Sequence, residues 1–291
     1  MSSADSPQGP WTTLVTVDDL RTRLVSGDRD LVILDARFSL DDESWGTRAY
    51  LEQHIAGALR ADLATDMAGP IIEGVTGRRP FPNPADFAST LSHWGIDDHT
   101  QVVTYDAECG LMAASRLWLM LRWMGHDNVV VLDGGWQAWL ASGGPVAQGA
   151  QQREARTFTT RLQPQMLVEV DEVDQARQQT ATCVFDSRGA EGYHGGGKYY
   201  DPVRGHIAGA GLADRAETTT DGRFRSATEL RAHYDRLLGD VPPEEVIYYC
   251  GSGVTAAQNV LAMEVAGLPG SRMYVGSWSE WILDPSRPVE L

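Results

Sequence analysis

The chain has 291 residues, 42% of them hydrophobic, with 24 Lys and Arg against 40 Asp and Glu and a net charge of −16. That length provides for two cores of ordinary size. The acidic balance excludes a general affinity for nucleic acid or for an anionic membrane surface, and no window approaches the roughly 20 apolar residues of a membrane span.

The opening MSSADSPQGPWTT shows no basic start followed by an apolar run, so no secretory signal is visible. Cys109, Cys183 and Cys250 are too widely spaced for a disulfide framework or a zinc site, which suits a reducing compartment. A soluble, cytoplasmic protein is expected.

In chain order, Leu31 to Leu34 is a short apolar run bounded by turn residues and predicts a strand. Met112 to Met124 has the length and composition of a helix, and Val129 to Leu132 predicts another strand. The Gly- and Gln-rich stretch 143–165 carries no core of its own and predicts the joint between two domains, with 11–148 as the first, 149–163 as the linker and 164–291 as the second. Near the end, Val246 to Tyr249 predicts a strand behind Pro242 and Pro243, and Thr255 to Ala266 a helix closed by Gly267 and Pro269. Alternating strands and helices predict an α/β fold, with a mostly parallel sheet covered by helices on both faces.

The chain also repeats itself, at roughly 150 residues. LVILDAR, ending at Arg37, returns as TCVFDSR, ending at Arg188; QHIAGA returns as GHIAGA, placing His54 opposite His206. VVTYDAECGLMAASR returns as VIYYCGSGVTAAQN, with Asp106 opposite Cys250, and VVVLDGGWQAW returns as RMYVGSWSEW. Four blocks in one order imply a duplicated fold.

Cys250 stands at the carboxyl end of its strand, where open α/β sheets bind ligands. It enters a Gly-Ser-Gly turn that leads into a helix. A lone cysteine is ordinarily a small buried hydrophobe, and Cys109 and Cys183 are read that way. Around Cys250, by contrast, Gly251 and Gly253 let the backbone curl its N–H groups toward the sulfur, and the helix start adds its positive end. Such a cradle favours the thiolate, which is the nucleophilic form. The nine tryptophans are taken as packing, repeated because the fold repeats. No phosphate loop and no His pair at ligand spacing is present, so neither a metal nor an organic cofactor is expected.

Taken together, CGSGVTA at 250–256, the DAR and DSR blocks, HIAGA twice and VLDGGWQAW resemble the two-domain rhodanese-type sulfurtransferases over nearly the whole chain. The resemblance implies tandem rhodanese-like domains. The first would be catalytically silent, with Asp106 where the cysteine should be, and the second would accept sulfur on Cys250 as a persulfide. Within that family the CGSGVTA loop is similar to the mercaptopyruvate enzymes, whereas thiosulfate enzymes usually carry basic residues after the cysteine. It implies Ser252 and His54 as proton-handling partners, with Asp41, Asp42 or Glu43 as the acidic support. Gly251, Gly253, Val254 and Thr255 would supply amides to the persulfide.

The chain departs from that pattern at the two arginines that hold the donor carboxylate. Their positions fall at Gly192 and near Lys198 or Tyr199, leaving Lys198 or Arg204 for the role, and lysine lacks the two-pronged grip of a guanidinium. The expected partners are a small sulfur donor and a thiol or cyanide acceptor, or a thioredoxin-like protein. Thiosulfate as donor, or a persulfide carrier without turnover, are the alternatives. A phosphatase on this fold would want an arginine closing the loop, and Ala256 stands there.

Overall fold

The computed structural model describes residues 11–291 except Leu111, Thr180, Thr182 and Tyr199. Its centre is a pair of five-stranded sheets, each wholly parallel. The first runs Leu14–Val15, Val129–Leu132, Gln101–Tyr105, Leu31–Asp35, Leu59–Arg60. The second runs Leu167–Val168, Arg272–Tyr274, Ile247–Tyr249, Val184–Asp186, Gly211–Leu212. Strand for strand the two orders coincide, as a duplicated α/β fold requires.

The repeated sequence blocks explain themselves in this frame. Arg37 closes back on Asp35 through Nε and Nη2, with its Nη2 also donating to the Gln53 carbonyl at 2.6 Å. Arg188 does the same to Asp186 and to the Gly205 carbonyl at 2.7 Å. Each guanidinium lies over a repeated tryptophan, Trp136 and Trp278. The DAR and DSR blocks are therefore buried ion pairs that end one strand and pin the next loop.

Residues 146–147, inside the stretch read as lacking a strand, do form one: Val146–Ala147 pairs antiparallel with His54–Ile55. Sequence pattern misses it because two residues carry no period. The second copy has the same pairing, between His206–Ile207 and Val289–Glu290. Residues 149–163 hold no helix or strand, yet they are not loose. Arg153 donates to the Leu31 carbonyl at 2.8 Å, and Arg156 meets Asp30 and Asp97.

The helices Ala113–Trp123 and Ala257–Val265 each follow the cysteine-type loop of their own copy, and they pack against each other. Both are apolar nearly all round and buried, as a helix between two layers must be. One core cluster accordingly runs through both copies, from Leu117 and Leu121 to Leu261 and Met263. This interface brings the Asp106 and Cys250 loops to the seam of the molecule. Among the described residues, no helix is long and apolar enough to cross a membrane.

Candidate active site

Ile247–Tyr249 ends at Cys250, and the helix begins only at Ala257. The intervening turn is longer than the sequence pattern suggests, because it must fold over the sulfur. Gly253 makes that possible: its φ is +71°, and a Cβ there would sit 2.1 Å from the Val275 carbonyl oxygen. The loop is tied down by the Trp278 and Ser279 amides, which donate to the Cys250 and Gly251 carbonyls at 3.0 Å each. The Ser277 hydroxyl in turn accepts from the Cys250 amide at 3.2 Å.

Burial pushes the Cys250 thiol up, but the Thr255 hydroxyl and the amides of Ser252, Ala256 and Thr255 outweigh it. The net pKa lies below the ordinary thiol value, so the cradle favours the anion. Of the amides that reach the sulfur, that of Ala256 lies one residue beyond the stretch expected from the sequence, and the Thr255 side chain joins them. Cys250 is only 1% exposed. The groups that stabilise the charge also cover it. Among the described residues, the other two cysteines have no cradle that outweighs their burial. Burial and then Asp106 push the Cys109 thiol up to about 12, and burial followed by Glu245 raises Cys183.

The first copy shows what the same turn does with a carboxylate. Asp106 accepts from the amides of Glu108, Gly110, Met112 and Ala114 at 2.9 to 3.3 Å. Even so, burial outweighs those four amides and raises its pKa. Asp106 occupies its own anion cradle.

Beside Gly251 lies a cavity of about 320 Å³, lined on its charged side by Arg78, Arg188, Lys198, Arg204, Arg215, Glu191 and Asp201. Five cations line it against two carboxylates, and with Asp186 and Asp41 pairing Arg188 and Lys198 the cluster is still left net positive in a chain of net charge −16, which is how an acidic protein attracts a small anion. Gly192 also lines it, so the missing arginine leaves open space there. Lys198 is exposed and paired with Asp41, while Arg204 is exposed on the cavity wall. Tyr199 lies outside the described residues.

No hydrogen bond among the described residues joins His54 to Cys250. His54 is fully buried in the first copy, its Nδ1 2.7 Å from the Tyr50 carbonyl oxygen and its ring stacked on Tyr50. His206 repeats this on Tyr193. The two HIAGA histidines share one packing motif, and no hydrogen bond among the described residues links His54 to Ser252. Of its three candidate supports, Asp41 pairs with Lys198, Asp42 with Arg48 and Glu43 with Arg79. Ser252, 5% exposed, contributes its amide to the sulfur cradle.

Sequence reasoning missed two arginines of the first copy. Arg116 is fully buried; its Nη1 donates to the Gly253 carbonyl at 2.7 Å and its Nη2 to those of Met67, Arg79 and Pro80. Among the described residues no carboxylate pairs with it, and burial brings it down to about 9 against the pull of the Cys250 charge. Its signal was an arginine near the start of an otherwise largely apolar helix, nearly all of which is buried. Arg78 reaches the cavity from a Gly/Pro loop, and no repeat block marks it.

A duplicated α/β protein with a cradled thiolate at its seam defines a class, and comparison with known sequences fixes the family. The Rhodanese-like domain profile matches residues 16–142 and again 169–284. The chain belongs to the rhodanese-like family, in its two-copy form, and is an enzyme of the sulfurtransferase type. It is 41% identical over 278 residues to a Pseudomonas aeruginosa protein named "Probable 3-mercaptopyruvate sulfurtransferase", covering 95% of this chain and 97% of that one. To the thiosulfate sulfurtransferase of Bos taurus it is 33% identical over 258 residues, covering 86% and 84%. Among solved structures, the 3-mercaptopyruvate sulfurtransferase from Leishmania major superposes with a TM-score of 0.81 at 29% identity, over 95% of this chain and 75% of that one.

Proposed function

We propose that the protein transfers the sulfur of 3-mercaptopyruvate to a thiophilic acceptor through a persulfide on Cys250. The observation that carries this reading is the Cys250 thiol, lowered in pKa despite complete burial. The Cys250 thiolate attacks the donor's sulfur. The donor's C–S bond breaks with its electron pair going to carbon, which leaves Cys250 as a persulfide and releases pyruvate as its enolate. The outer S–H proton then moves to that carbon, giving pyruvate and a persulfide anion. The amides of Ser252, Thr255 and Ala256, with the Thr255 hydroxyl, stabilise that anion, and the Ser252 hydroxyl is assigned the moving proton. An acceptor takes the outer sulfur and restores the thiolate. A small thiol, cyanide or a thioredoxin-like protein fits this step. Three free, buried cysteines suit the reducing cytoplasm.

A monocarboxylate donor is favoured because the loop side chains after Cys250 are uncharged, while the cations stand on the cavity wall. The test compares initial rates with mercaptopyruvate and thiosulfate for the unmodified protein and for Cys250→Ala. Loss of transfer in the variant and preference for mercaptopyruvate are expected. Transfer that survives the substitution removes the mechanism, and a thiosulfate preference removes the donor assignment.

A further inference from the structure

We propose that Arg78, carried by the first copy, is the residue that grips the donor's carboxylate, in place of the arginines absent at Gly192 and near Lys198 or Tyr199. This inference rests on the sulfur-transfer reading above and assigns its donor site to both halves of the chain.

The loop bearing Arg78 is pressed onto the second copy. A Cβ on Gly77 would stand 2.5 Å from the Gly276 carbonyl oxygen and 2.7 Å from Ser279 Oγ, so the approach depends on glycine. The Arg78 amide then donates to Ser279 Oγ at 3.0 Å. Ser279 is itself fixed through its amide to the Gly251 carbonyl. Arg78 is thereby anchored to the residue that follows the nucleophile.

Its side chain is oriented as well as anchored. Nε and Nη2 donate to the two oxygens of Asp201 at 2.8 and 2.9 Å, and the Tyr200 ring lies under the guanidinium. That pairing occupies one edge of the planar fork. The Nη1–Nη2 edge remains, and Nη1 makes no hydrogen bond among the described residues. A guanidinium can bind two carboxylates, one on each edge. Asp201 is therefore an orienting partner that leaves one face for ligand. Nη2 lies 3.5 Å from where a Gly251 side chain would begin, so the space left by that glycine adjoins both the arginine and the cysteine loop.

The other cations of the cavity are placed for different work. Arg188 is spent on Asp186 and the Gly205 carbonyl, and Lys198 pairs with Asp41. Arg215 also borders the neighbouring cavity, which holds Asp41, Asp42, Asp106 and Glu108 and repels an anion.

The test uses alkylation of Cys250 in the full chain by iodoacetate and by its neutral isostere iodoacetamide. The ratio of the two rate constants cancels changes in thiolate fraction and access and reports on how the cavity treats a carboxylate, with Arg78→Lys, which keeps a charge beside Asp201, separating the fork from the charge alone. In Arg78→Gln the iodoacetate-to-iodoacetamide ratio falls about tenfold, the size of a charge-assisted hydrogen bond. A ratio within about twofold of the unmodified protein overturns the proposal. Should Arg78→Gln not fold, Arg78→Lys carries the test. It keeps the charge without the fork, and the ratio still falls severalfold, whereas an unchanged ratio overturns the assignment. Because these probes need no turnover, a failed grip appears as an unchanged ratio while Cys250→Ala still abolishes transfer. A failed function reading appears as transfer that survives Cys250→Ala.

Discussion

Replacing Thr255 with valine removes one hydroxyl from the sulfur and leaves the side-chain volume and backbone amides in place. That hydroxyl is foremost among the groups that lower the Cys250 pKa. A hydrogen bond to a charged group contributes about 1.5–3 kcal/mol, and 1.36 kcal/mol corresponds to about one pKa unit. Thr255→Val is therefore expected to raise the Cys250 pKa by about 1–2 units. The assay is the rate of iodoacetamide alkylation against pH, backed by the ultraviolet absorbance of the thiolate. Because only the thiolate attacks, the transfer rate near neutral pH falls with the same midpoint shift. Stability follows by linkage. A thiol whose pKa is depressed in the folded protein stabilises it fully above the unfolded value, taken as 9.0, and that contribution fades as pH falls through the folded value. The variant should thus be the less stable protein at alkaline pH, with the gap closing on acidification. An alkylation midpoint unmoved to within about 0.3 units would refute the cradle as the source of the lowered pKa.

Arg116→Met keeps the bulk of the side chain but leaves the carbonyls of Gly253, Met67, Arg79 and Pro80 without their donor. A stability loss of about 3 kcal/mol is expected in denaturant titrations, together with a raised Cys250 pKa, and a loss under about 0.5 kcal/mol contradicts the bracing role. Asp106→Cys in a Cys250→Ala background places a thiol within the first copy's amides. Peptide mapping should then find position 106 alkylated in the folded protein at neutral pH, and a resistant thiol there contradicts the equivalence of the two cradles.

Local pattern revealed the duplication, because each copy's apolar strands and glycine turns are written in runs of a few residues. The cysteine turn was legible for the same reason: strand, two glycines and helix follow one another in the chain. What joins the copies was not legible. Arg116 meets Gly253 137 positions away, and Arg78 meets Ser279 across 201. No spacing encodes contacts that only the packed helices Ala113–Trp123 and Ala257–Val265 create. His54 stood out for the opposite reason. Its block is repeated, and the repeat marks a shared packing motif on Tyr50 and Tyr193. Lys198 drew attention by charge in sequence, but its charge is turned toward Asp41.

The central claim is that Cys250 itself receives the transferred sulfur. Its most direct test is the intact mass of the protein after exposure to mercaptopyruvate without acceptor, followed by peptide mapping. The account predicts a gain of one sulfur atom, located on Cys250, removed by cyanide and missing from Cys250→Ser. An added sulfur on Cys109 or Cys183, or turnover with Cys250 left unmodified throughout, would contradict it.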